Sequence, residues 1–132
     1  MNKIKIQTIA YLSIIIIGAA LCKAAPLNAA DPQKLIGKWR RIDNNYVIDI
    51  YKIDKNGQLD AGYYNPNPIN VNRALFIQDS NKLKVFIELV DEGYPGSTYT
   101  LNYDPEEDAL VGNYFHAGMN RNYNVMFLQI NK

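Results

Sequence analysis

Few side chains in this chain could perform covalent chemistry, and those that could stand apart. His116 is the single histidine and Cys22 the single cysteine. Beyond residue 30 the serines are Ser80 and Ser97. Ser97 follows Tyr94-Pro95-Gly96 rather than lying in a nucleophile elbow, and its only available base would be His116, with no third group to orient it. One histidine cannot supply a zinc cluster. Glu88, Asp91 and Glu92 bring carboxylates close in sequence, but neighbouring loop acids are ordinarily solvated. A glycine-rich phosphate loop is absent. The expectation is a protein that is not an enzyme and uses neither cofactor nor metal.

Binding chemistry is better represented. Arg41, Tyr63, Tyr99, Tyr114, His116 and Tyr123 fall at or near the ends of strand-like segments. Tyrosines offer stacking faces and phenolic donors, and arginine offers a fixed positive fork. Together they suit a small aromatic or anionic ligand, or an acidic peptide segment. Arg41 shares strand parity with Trp39, and an inward-facing arginine needs a partner or an anionic ligand, because an unpaired buried charge is costly. Arg41 is therefore the first candidate contact. Trp39 itself reads as a core plug closing the floor.

The elements that would gather these residues are eight strands, near residues 38–42, 46–53, 58–64, 73–78, 82–90, 98–103, 109–116 and 123–130. The clearest face is Leu83, Val85, Ile87 and Leu89 at strict period two. Asn56-Gly57 marks a hairpin and Pro95-Gly96 a type II turn. Asn65-Pro66-Asn67-Pro68 should interrupt pairing, since proline donates no amide hydrogen. Pro32 to Gly37 reads as one short helical turn. Short strands with frequent turn signals indicate a sandwich or a barrel; sequential hairpins without a long crossover favour an all-β, eight-stranded antiparallel up-and-down barrel.

In such a barrel alternate connections share an end. One set carries Asp54, Asp79, Asp104, Glu106 and Glu107. These acids match turn chemistry, and Asp54-Lys55-Asn56-Gly57 lacks the repeated oxygen ligands of a calcium loop. The other set holds Pro66, Pro68 and Pro95, most of the asparagines and the aromatic strand ends, and forms the mouth. A second use of that end is a rigid wedge for a protein partner, built from residues 65–72 with Pro66 and Pro68 and residues 91–97 with Tyr94 and Pro95; proline-stiffened loops lose less entropy on docking.

Residues 1–29 read as a cleavable signal peptide, with Lys3 and Lys5 ahead of an apolar run from Ile9 to Leu21 and small residues after it. The run is short for a membrane span. Lipidation at Cys22 is the lesser reading, because Leu21 stands where a small residue is usual. Residues 30–132 then form one exported domain, periplasmic or secreted, with no cysteine pair, so its stability must come from packing. That domain carries eleven basic against thirteen acidic side chains, a balance of −2 that argues against a nucleic-acid surface. Partners would be a small molecule or an envelope protein, with the oligomeric state open.

The segment Gly37-Lys38-Trp39, followed by Asn56-Gly57-Gln58-Leu59-Asp60-Ala61-Gly62-Tyr63, resembles the opening of avidin-type barrels in the calycin group, which share their barrel form with lipocalins. Glu88-Leu89-Val90-Asp91-Glu92-Gly93-Tyr94-Pro95-Gly96-Ser97-Thr98-Tyr99 resembles a group of small secreted bacterial proteins without an established activity. The resemblance implies a barrel fold. It does not carry biotin binding with it, because Arg41 stands where that family places a small polar contact and the site tryptophans beyond Trp39 have no counterparts.

Overall fold

A computed structural model describes residues 30–130; the signal segment expected at residues 1–29, with Cys22, lies outside the described residues. Nine antiparallel strands form one sheet: β1 (Gly37–Arg41), β2 (Val47–Ile53), β3 (Leu59–Asn65), β4 (Asn67–Ile69), β5 (Val71–Asp79), β6 (Lys82–Leu89), β7 (Thr98–Asp104), β8 (Ala109–His116) and β9 (Arg121–Ile130). Their order is β4-β3-β2-β1-β9-β8-β7-β6-β5. The first strand pairs with the last, Trp39 opposite Gln129. The two ends of this order then meet through a bridge between Gln58 and Leu75 and a hydrogen bond from Phe76 N to Gly57 O at 2.8 Å. The sheet is a nearly closed barrel.

The count of nine corrects the expected eight, and the reason is local. Asn67–Ile69 does not break pairing but runs back along β3, with Pro68 opposite Tyr64. The segment is an end strand of the sheet order, a position where a missing amide donor is tolerated. Pairing with β3 fades past Ile69 and the chain continues, after Asn70, as β5 against β6. Part of what the sequence presents as a connecting loop is thus a strand of its own, held by β3, while the strand expected near 73–78 extends over Val71–Asp79 against β6. The hairpin at Asn56-Gly57 also forms, but only Gly57 has positive φ, at 81°, which places the left-handed residue at the end of a longer turn.

Inside the barrel, alternation delivers the apolar face of each strand to one core. Leu83, Val85, Ile87 and Leu89 are fully buried, with Ile48, Ile50, Leu101, Leu110 and Phe127 around them. A 3₁₀ turn at Pro32–Leu35 precedes β1, its start held by the Asp31 carboxylate accepting from Gln33 N. This turn brings buried Leu35 against the barrel floor, and Trp39 Nε1 donates to Leu35 O at 2.8 Å. The Trp39 ring meets Tyr103 edge-on, centroids 6.1 Å apart. The floor is therefore sealed. At the same end, Asp54 and Asp104 accept backbone amides of Asn56 and Glu106 at 2.6 and 2.9 Å, which is turn chemistry.

Candidate functional site

The mouth is assembled by the ends of six strands. Arg41 ends β1, Tyr46 precedes β2, Tyr63 lies near the end of β3, and Tyr99 opens β7. Tyr114 and His116 close β8, and Tyr123 follows the start of β9. Pairing of Tyr99 with Tyr114 and of Tyr114 with Tyr123 sets three phenols side by side on adjacent strands. Tyr99 and Tyr114 stack at 4.6 Å and Tyr114 and Tyr123 at 6.2 Å. Tyr63 joins from across the barrel, its Oη 2.9 Å from that of Tyr99.

These rings occupy two levels. Tyr63 and Tyr99 lie at the lower level, closed to solvent and bonded to each other. Above them a depression of about 200 Å³ is lined by Arg41, Asn44, Tyr46, Tyr114, His116 and Tyr123. Four of the six residues singled out as ligand contacts therefore share one surface, and the other two form its base. Ligand pockets for drug-sized molecules typically enclose about 300–1,000 Å³. This one suits a small molecule or the end group of a larger one.

Arg41 is 9% exposed and faces inward, as its parity with Trp39 implied. Its Nη2 donates to Asp43 Oδ2 at 2.9 Å, and Nε lies 2.7 Å from Oδ1 but off the line of its N–H. The guanidinium also sits 5.7 Å from the Tyr46 ring centre. Burial opposes the charge, while the bond to Asp43 and the nearby oxygens of Tyr99 and Asp43 outweigh it and raise the pKa. Asp43 is the partner an inward arginine requires, and it was missed in the sequence. The signal was available, two residues on, but a loop carboxylate next to Asn44 and Asn45 reads equally well as turn chemistry.

The phenols remain protonated. Burial pushes Tyr99 up to about 12, although the bonds from Tyr63 and Arg41 oppose the shift. Burial likewise raises Tyr63 and Tyr114, with a contact to Ser97 acting against the rise at Tyr114. These shifts run away from neutrality, so the phenols serve as hydrogen-bond groups rather than as bases. The Tyr114 hydroxyl is buried and makes no well-formed hydrogen bond. His116 Nδ1 accepts from Met119 N at 3.2 Å, which puts the proton of the neutral ring on Nε2. Ser97, set aside above as a nucleophile, is fully buried and accepts from Ala117 N at 3.1 Å, tying two mouth loops together.

The rest of the rim is one cross-tied ridge. Asn70 donates to Asp91 twice, from N at 2.8 Å and from Nδ2 at 2.6 Å, and Val90 N donates to Asn70 O at 3.1 Å. Asn65 donates to the Tyr94 hydroxyl. Residues 65–72 and 91–97 are therefore tied to each other, with Pro66, Pro68 and Pro95 exposed along the ridge and Tyr94 half-buried beneath. Arg73 and Glu88 face outward below this ridge: they pair with each other, Glu88 accepts from Asn72, and Arg73 lies over the Phe86 ring. Among the described residues no group of three or more histidine, cysteine or acidic side chains is arranged to hold a metal ion, and no helix is long and apolar enough to cross a membrane. No family model, curated protein or solved structure matches the chain.

Proposed function

We propose that this protein is an exported, non-catalytic binding protein, calycin-like in architecture, whose mouth recognises a small aromatic or anionic group. The observation that carries the reading is the convergence of Arg41, Tyr114, His116 and Tyr123 on one depression. A planar ring entering there meets the stacked faces of Tyr114 and Tyr123, and a carboxylate meets Arg41 in exchange for Asp43. His116 Nε2 supplies a donor that an acceptor on the ligand can use. Because the barrel below Tyr63 and Tyr99 is filled, the ligand is held at the rim and not engulfed. Native mass spectrometry of the protein from the exporting cell tests this: a co-purifying small molecule lost in Arg41→Ala is expected. Identical spectra from both forms, with no added mass, would remove the proposal.

A second reading has its own support. The ridge of residues 65–72 and 91–97 is stiffened by its internal hydrogen bonds and presents Pro66, Pro68 and Pro95 outward, the features of a preordered surface for an envelope protein. A captured chain released by Asp91→Ala, with no small molecule, is the outcome that favours this second use.

A further inference from the structure

The outer wall of the barrel holds a carboxylate that the mouth does not use. Ile48 and Ile50 of β2 face the core, so Asp49 between them faces outward, yet it is only 9% exposed. Outward residues of a small barrel ordinarily stand free in water, and a buried charge needs compensation. The ion pair Asp49 makes is thin: Lys38 Nζ lies 3.9 Å away and that side chain is 55% exposed. Asp49 instead lines a depression of about 420 Å³ together with Lys38, Asn45, Tyr64 and Pro66.

The surroundings of this depression are built. Opposite Asp49 on β3 stands Gly62. A side chain added there would meet Tyr51 Oη at 2.8 Å and the Tyr64 ring at 3.1 Å. The two tyrosines thus lean over the glycine, joined by hydroxyls 2.7 Å apart. That bond, with some desolvation and then the charge of Asp49, pushes the Tyr51 phenol up to about 12. The result is an aromatic face beside a sheltered acceptor, with an ammonium and a side-chain amide within the same space.

We propose that this outer-wall depression is a saccharide site, distinct from the depression lined by Arg41 and the mouth tyrosines, although Asn45 and Pro66 reach it from connections of the mouth end. A sugar hydroxyl both donates and accepts, so a vicinal pair can donate to Asp49 while accepting from Lys38 and Asn45. A simple cation would be repelled by Lys38, and a simple anion by Asp49. The apolar face of a pyranose ring packs on Tyr64 and Pro66, as aromatic and apolar walls accept flat apolar faces.

Amide NMR of the purified protein, titrated in turn with glucose, mannose, N-acetylglucosamine and maltotriose, tests the site. At least one sugar should give saturable shifts centred on residues 38, 45, 49, 62 and 64. Asp49→Asn should weaken that binding by about tenfold or more, whereas Arg41→Ala, at the mouth, should leave it unchanged. Should Asp49→Asn lose its folded spectrum, Tyr64→Leu takes its place as the weakening variant. Absence of shifts with all four sugars, shifts confined to the mouth, or undiminished binding by the folded variant would overturn the proposal.

Discussion

At the scale of single residues, two inward side chains of β1 have opposite duties. Trp39 is fully buried and bonded to Leu35 O, and emptying so large a position ordinarily costs about 3–5 kcal/mol. Trp39→Ala should therefore lower the chemical-denaturation free energy by that amount; a variant that melts like the parent would mean the floor is not sealed by this ring. Arg41 is different, because its partner Asp43 is 55% exposed, and pairs open to water contribute about 1 kcal/mol or less. Arg41→Ala should cost little stability and remove ligand retention. Pronounced unfolding would instead make the Arg41–Asp43 pair structural. Tyr114→Phe gives a finer test, since its hydroxyl makes no well-formed bond within the protein. Stability should hold within about 1 kcal/mol, and ligand affinity should persist because the stacking ring is kept.

At the scale of elements, the close approach of β7 and β8 rests on Gly112. A Cβ at this position would lie 2.0 Å from Thr100 O and 3.0 Å from Leu101 Cα, both backbone atoms that cannot swing aside. Gly112→Ala should destabilise by about 1–3 kcal/mol, the usual range for forcing extra volume into a packed region, and denaturant titration would read it directly. A neutral substitution would mean the two strands separate at no cost. In the sequence Gly112 is only one residue within the strand-like segment 109–116. That it is crowded by a neighbouring backbone depends on which strand lies alongside and how tightly, and no local pattern encodes that. The split of β4 from β5 has the same origin: the proline pair signals an interruption, and only the presence of β3 on one side and β6 on the other makes each piece a strand.

At the scale of the whole molecule, the buried phenols tie stability to alkaline pH. Tyr99 titrates at about 12 in the folded protein against an ordinary value of 10.0, and Tyr63 is raised as well. The folded state thus keeps protons that the unfolded chain releases. Stability should be level below pH 10 and fall as pH rises from there toward 12, by about 1.4 kcal/mol per pH unit for each group. Urea midpoints measured across this range, with phenolate absorbance followed in parallel, should show that decline. A midpoint unchanged to about pH 11 would mean both phenols ionise alike in the folded and unfolded states.

From the sequence alone came the all-β class, the sequential hairpins, the shared inward parity of Trp39 and Arg41, and the gathering of loops into two unlike ends. Those features follow from period two, from turn chemistry and from chain order, all local properties. Tertiary structure alone decided that Tyr63 and Tyr99 lie under the mouth rather than in it, and that Asp49 is sheltered on an outer wall. Each of these depends on the distance between segments far apart in the chain, which barrel closure sets and no short stretch of residues contains.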